Sequence, residues 1–122
     1  VEDEFKQPNG LIGNTESNKL YLTDIGNKQT YVYDMQPDGS LGNKTLFCEQ
    51  GSDGMTIDEL GNIYLTGKGV NVFNPKGELI QHIDIPENWT ANITFGGKDR
   101  KTLFITASKS VYTLQMNVKG GR

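Results

Sequence analysis

The 122-residue chain is expected to be all-β, folded as about three blades of a β-propeller, and three observations point there. Its apolar residues come in short alternating runs, and turn signals rich in glycine separate those runs. The pattern then repeats with a period of roughly forty residues, the range of propeller blades. No window carries the three-to-four periodicity of an amphipathic helix.

The turns come first. Asp38-Gly39, Leu60-Gly61-Asn62 and Pro75-Lys76-Gly77 each stand between two apolar runs. In such places glycine supplies a positive φ, and Asp or Asn bonds back to its own backbone, so hairpin turns are expected. Around them the first block runs from Asn9-Gly10-Leu11 through strands at 19–24 and 30–34 to a fourth after Gly39. The second block runs from Asp53-Gly54-Met55 through 62–66 and 69–74 to a fourth strand after Gly77. The third runs from Asn92-Ile93-Thr94 through 102–107 and 110–114, and shows no fourth strand.

Three or four short strands joined by hairpins make a blade, and the first strand of each blade lines the central channel. In the second strands, Leu20, Leu22, Ile63, Leu65, Leu103 and Ile105 alternate with Tyr21, Thr23, Tyr64, Thr66, Phe104 and Thr106. Both faces are partly apolar, as a blade between two neighbours requires. The chain 1–122 is thus read as one partial β-propeller, with blades beginning near Asn9, Asp53 and Asn92. Val1 to Lys6 stand where the fourth strand of a preceding blade would lie. A half ring has open edges. It is closed either by further blades of a longer protein, the preferred reading because no edge protection is visible, or by a second copy in a homodimer.

Charge and composition exclude several functions. Twelve Lys and Arg against fifteen Asp and Glu give a net charge of -3 with no basic run, so nucleic acid is not an expected partner. No apolar run is long enough to cross a bilayer, and the acidic start at Val1-Glu2-Asp3-Glu4 lacks the regions of a signal peptide. A soluble chain with no membrane partner is expected. The compartment stays open: cytoplasmic, or periplasmic or secreted if a signal peptide precedes this segment. Cys48, the single cysteine, has no internal disulfide partner and is read as a small buried residue.

The candidate site lies where the blades begin. Asn9, Asp53 and Asn92 are oxygen-bearing, 44 and 39 residues apart, and propeller symmetry would aim equivalent positions at one axis. Carboxylate and amide oxygens converging on a point suit a hard divalent cation such as calcium or magnesium. Asn and Asp before glycine are also ordinary turn residues. For one such residue the turn reading leads, whereas three at corresponding positions favour a site.

These residues and their neighbours also carry a resemblance. Pro8-Asn9-Gly10-Leu11, Leu20-Tyr21-Leu22-Thr23-Asp24, Asp38-Gly39-Ser40-Leu41, Asp53-Gly54-Met55-Thr56-Ile57-Asp58, Gly61-Asn62-Ile63-Tyr64, Gly69-Val70, Pro86-Glu87, Phe95-Gly96-Gly97 and Leu103-Phe104-Ile105-Thr106-Ala107 strongly resemble the gluconolactonase family, which includes the senescence marker proteins and luciferin-regenerating enzymes. The resemblance spans nearly the whole chain and keeps the motif order. It implies three blades of a six-bladed β-propeller, the C-terminal half of a divalent-metal-dependent sugar lactonase. The cofactor it implies is calcium first, with magnesium or zinc as alternatives, and the partner a small-molecule sugar lactone. Asn9 and Asp53 match the family's metal-binding asparagine and aspartate, and Asp53 is implied to be the catalytic general base. Asn92 is implied to line the substrate pocket or to stabilise a loop.

The family's metal-binding glutamate and further substrate contacts belong to N-terminal blades outside this sequence. Two protein oxygens alone make a weak site. Whether Asp53 is base or only ligand stays open, because a bound cation lowers its basicity. The competing function is a non-catalytic β-propeller module that binds or interacts through its surface, since fold alone does not fix function.

Other residues are set aside. His82 falls in an outer-strand pattern with no second histidine, and Ser17, Ser52, Ser108 and Ser110 lack a nucleophile motif. Gly96-Gly97 precedes no helix, so it is not a phosphate loop. Trp89 is read as packing its loop against the neighbouring blade, with a pocket wall as the second reading. Asn43-Lys44-Thr45, Asn88-Trp89-Thr90 and Asn92-Ile93-Thr94 match the glycosylation sequon, which matters only in a secreted eukaryotic protein. Asp24, Asp34, Asp58 and Asp84 stand at strand ends, where solvated turn or cap roles are expected.

Overall fold

The structure is a computed structural model that describes residues 5–121. These residues form three antiparallel sheets and no helix. The first sheet runs β1 (Pro8–Asn14), β2 (Lys19–Asp24), β3 (Gln29–Met35) and β4 (Leu41–Cys48) in sequential order. The second runs β5 (Met55–Ile57), β6 (Ile63–Gly67), β7 (Gly69–Phe73) and β8 (Leu79–Ile83). The third has β9 (Thr90–Gly96), β10 (Thr102–Ala107) and β11 (Val111–Gln115). The expected turn glycines Gly39, Gly61 and Gly77 have φ of 87°, 85° and 84°, the left-handed conformation that glycine adopts without steric cost.

Each sheet is a meander, and β5 touches both β1 and β9, so the first strands of the three sheets lie side by side. These are the three blades that the repeat predicts. Two layers of core lie between them. Tyr21, Phe47, Met55, Ile57, Ile63, Leu65 and Phe73 fill the first, and Tyr64, Val70, Val72, Ile93, Leu103 and Ile105 the second. Successive side chains of a strand point to opposite faces. In β6 that alternation sends Ile63 and Leu65 into one core and Tyr64 into the other, and the whole strand is buried. Cys48 is buried at the rim of the first core, as expected.

The chain after β11 crosses back to the second sheet. Glu59 N donates to Lys119 O at 2.8 Å, Gly121 N donates to Ile57 O at 2.8 Å, and Asp58 pairs with Gly120 in an isolated bridge. At the other end, residues 1–4 of the segment expected to serve a preceding blade lie outside the described residues.

Two carboxylates correct the expectation of solvated strand ends. Asp24 and Asp58 are buried, 0% and 2% exposed. Asp24 accepts N–H bonds from Lys6 (3.0 Å), Gln7 (2.8 Å) and the Asn27 amide (2.8 Å), so it staples the incoming chain to the end of β2. Asp58 accepts from Leu60 N (2.9 Å), Asn62 N (3.0 Å), Asn62 Nδ2 (2.9 Å) and the Tyr64 hydroxyl (2.9 Å). A buried charge is tolerated only with such a set of donors. Asp34 is half-buried between Lys19 and Asn43, and the Asp84 side chain is exposed beside His82.

Candidate functional site

One hydroxyl recurs where each blade begins. The second strands end alike, in Leu22-Thr23, Leu65-Thr66 and Ile105-Thr106. Thr23 Oγ1 accepts Gly10 N at 2.6 Å, Thr66 Oγ1 accepts Gly54 N at 3.2 Å, and Thr106 Oγ1 accepts Asn92 N at 3.1 Å. The first two also donate onward to the next blade, Thr23 to Ser52 O (2.8 Å) and Thr66 to Ala91 O (3.2 Å). Ser52 Oγ lies 2.9 Å from Thr66 Oγ1, and Thr23, Thr66 and Ser52 are wholly buried. Buried and satisfied, these hydroxyls fix the backbone that carries the candidate side chains. Sequence reasoning set Ser52 aside and singled out none of the threonines, although the recurrence of Thr at one strand position is a visible signal.

The same hydroxyls define the register of the blades. Thr23 faces Gly10 and Thr66 faces Gly54, which places Asn9 and Asp53 at equivalent positions, one residue earlier. Thr106 pairs with Asn92 itself, so the equivalent of Asn9 and Asp53 in the third blade is Ala91. The expected alignment of three polar residues is therefore an alignment of two. Asn92 stands one position on, and a shift of one residue turns a strand side chain to the other face. Its Oδ1 accepts Ile93 N at 2.9 Å.

The first two residues meet. Asn9 Nδ2 donates to Asp53 Oδ1 at 3.2 Å across the boundary between the first and second blades. Asp53 is half-buried, Asn9 exposed. Asn92 comes close to the Gly54 backbone, because the glycine leaves room for it: a Cβ on Gly54 would lie 2.3 Å from Asn92 Oδ1 and 2.8 Å from Asn92 Cα.

The third blade reaches Asp53 by another residue. Trp89 Nε1 donates to Asp53 Oδ2 at 2.8 Å, so both carboxylate oxygens are held, each from a different neighbouring blade. The expectation that Trp89 packs its loop on the neighbouring blade holds in part, because its ring lies 3.9 Å from where a Cβ on Gly67 would stand. Trp89 also borders an open pocket of about 330 Å³ with Gln50, Gly67, Lys68 and Asn71. Asn71 Nδ2 donates to Gln50 Oε1 at 2.7 Å, and His82 Nδ1 lies 2.6 Å from Asn71 Oδ1. His82 thus braces the outer strand, as its pattern predicts.

Asn9 and Asp53 offer hard oxygen donors of the kind calcium and magnesium take, and they stand within one hydrogen bond of each other. They fit as part of a cation site. Among the described residues no group of three or more His, Cys, Asp or Glu gathers, so the remaining oxygens of a full coordination shell would come from elsewhere.

Comparison with known proteins adds to this geometry. The family described as SMP-30/Gluconolactonase/LRE-like region matches residues 1–109. A 6-deoxy-6-sulfogluconolactonase of Pseudomonas putida is 32% identical, covering 83% of this chain and 38% of that protein. A gluconolactonase of Zymomonas mobilis is 31% identical, covering 98% of this chain and 38% of that protein. Among solved structures, regucalcin from Agrobacterium tumefaciens, described as a calcium-binding protein, superposes with a TM-score of 0.84 at 21% identity, over 98% of this chain and 48% of that one. The chain therefore spans well under half the length of the curated relatives named here.

Proposed function

The chain belongs to the SMP-30/Gluconolactonase/LRE-like family, and from that premise we propose that it is the C-terminal half of a sugar lactone hydrolase whose site includes Asn9 and Asp53. The contact between those two residues carries the reading. They lie 44 residues apart in sequence and one hydrogen bond apart in space, where the first strands of adjacent blades converge.

Asn9 and Asp53 are two ligands of a divalent cation, calcium first. The likeness to regucalcin is one of fold; the oxygen chemistry of the pair supports the cation. When bound, a divalent cation supplies polarisation of the lactone carbonyl and stabilisation of the oxyanion that forms on it. The chain's own residues do the rest. Asp53 receives a proton from the attacking water as the new C–O bond forms, and returns it to the ring oxygen as the ring C–O bond breaks, leaving a hydroxy acid. Asn9 steadies the Asp53 carboxylate through its N–H and adds an oxygen without adding charge. Asn92, packed on Gly54 with its Oδ1 on Ile93 N, takes the second of its two expected roles and stabilises the chain at the edge of the site.

Thermal unfolding with and without calcium chloride tests the proposal. Saturating calcium is expected to stabilise the chain by about 2 to 3 kcal/mol at a hundredfold excess over its dissociation constant. Asp53→Ala is expected to abolish that gain. Stabilisation that survives Asp53→Ala would place the cation elsewhere. Indifference to calcium in a closed, well-folded ring would favour the non-catalytic binding module.

A further inference from the structure

We propose that Trp89 is a positioning residue for Asp53, supplying from the third blade the contact that orients its carboxylate; this rests on the reading of Asp53 as a cation ligand and base. Three observations carry it.

First, the register excludes Asn92 from the position equivalent to Asn9 and Asp53, and Ala91 there has no polar side chain. The indole takes over. Its N–H reaches Oδ2 at 2.8 Å while Asn9 engages Oδ1 at 3.2 Å, so the carboxylate cannot rotate about its terminal torsion without breaking one bond. The indole N–H is a donor only, with no free lone pair to bind a cation. It can hold Asp53 but cannot compete with it.

Second, the indole is itself fixed. Thr90 Oγ1, wholly buried, donates to Gly69 O at 2.6 Å and accepts Gly67 N at 2.9 Å, which pins the adjoining backbone to the second blade. On the other side Glu87 accepts the Tyr112 hydroxyl at 2.8 Å and Lys109 N at 2.9 Å, which pins the loop to the third. A ligand whose outer partner is anchored in this way is pre-organised, and loss of such partners typically weakens metal binding about tenfold or more.

Third, Trp89 is 43% exposed although its N–H is bonded. A tryptophan serving packing alone would bury that surface; here one edge faces the 330 Å³ pocket and the N–H faces Asp53.

Trp89 is the only tryptophan, so one indole N–H resonance reports on it. In metal-free buffer that resonance is expected to move in Asp53→Ala, and in Asp53→Leu should the first variant fold poorly. An unmoved resonance overturns the proposal. Calcium titrations then read the consequence. Trp89→Phe removes the indole N–H while keeping an aromatic ring, and is expected to raise the calcium dissociation constant about tenfold in a chain that still unfolds cooperatively in metal-free urea. Trp89→His, which keeps a ring N–H, is expected to recover part of the loss. Wild-type affinity in Trp89→Phe overturns the positioning role. Should the wild-type chain take up no calcium, the cation reading of Asn9 and Asp53 falls, and the metal-free resonance still decides between contact and no contact.

Discussion

The Tyr64 hydroxyl donates to Asp58 Oδ2 across 2.9 Å, and both residues are all but removed from solvent, at 2% exposure each. Burial first, and then the Asp58 charge, push the Tyr64 hydroxyl well above the ordinary tyrosine range, so it remains a donor well beyond neutral pH. Tyr64→Phe is expected to cost about 1.5 to 3 kcal/mol, the scale of a hydrogen bond to a charged acceptor. Asp58→Ala removes the acceptor for four donors at once and is expected to cost clearly more than Tyr64→Phe, about 4 kcal/mol or more. Urea unfolding of the two variants checks this. Near-equal losses would mean that water replaces the Asp58 carboxylate.

Acid should weaken the fold through a specific set of carboxylates. Burial alone would raise Asp24, but N–H donors from Lys6, Gln7 and Asn27 outweigh it and hold the group below its usual value. Hydrogen bonds from Lys19 and Asn43 lower Asp34, those from Ser40 lower Asp38, and the Tyr112 hydroxyl lowers Glu87. Each of these groups is more acidic folded than unfolded. Their stabilisation is therefore complete above the unfolded value, about pH 4, and is lost as pH falls through the lowered folded values. Urea midpoints measured in steps from pH 7 downward are expected to stay level and then drop below about pH 4. Asp24→Asn is expected to flatten that drop.

How much of this was legible in the sequence depends on distance along the chain. Hairpins are local, so Asp38-Gly39, Leu60-Gly61 and Lys76-Gly77 announce their turns, and the blade count follows from their spacing. The Asn9 and Asp53 pair could be found because a repeat converts separation in sequence into equivalence in space. The repeat also misled. Asn92 matches by composition, but the Thr106 pairing shows it one residue out of step, and only strand register distinguishes the two. Trp89 was out of reach for a different reason. Its contact with Asp53 joins residues 36 apart through a loop side chain, whose direction no periodicity encodes. Asp24 and Asp58 read as surface turn residues because their donors are mostly backbone N–H groups, which leave no mark in a sequence.

Cys48 should be chemically silent in the native state. Burial pushes its thiol up to about 11, partly countered by contacts with Thr30 and Gln50, and little thiolate is present near neutrality. A thiol-specific disulfide reagent at pH 8 is expected to leave the native chain unmodified and to react fully after denaturation. Because modification then requires opening, its rate should follow urea concentration along the unfolding curve. Rapid labelling of the native chain would show that the first core opens locally around β4.

Gly54 offers the most local test of how the blades close on one another. A Cβ there would meet Asn92 Oδ1 at 2.3 Å and Asn92 Cα at 2.8 Å, distances that real Cβ atoms do not tolerate. The side-chain oxygen can move, but the backbone atom cannot yield without shifting β9. Gly54→Ala is accordingly expected to cost about 1 to 3 kcal/mol. Asn92→Ala in the same chain relieves the contacts with the side-chain oxygen and Cγ but not that with Cα, so it should recover a fraction of that loss. A double-mutant cycle in urea measures the coupling, expected at about 0.5 kcal/mol or more for residues in contact. Additive effects would show that the second and third blades can separate at this point, and would remove the steric reason for glycine beside Asp53.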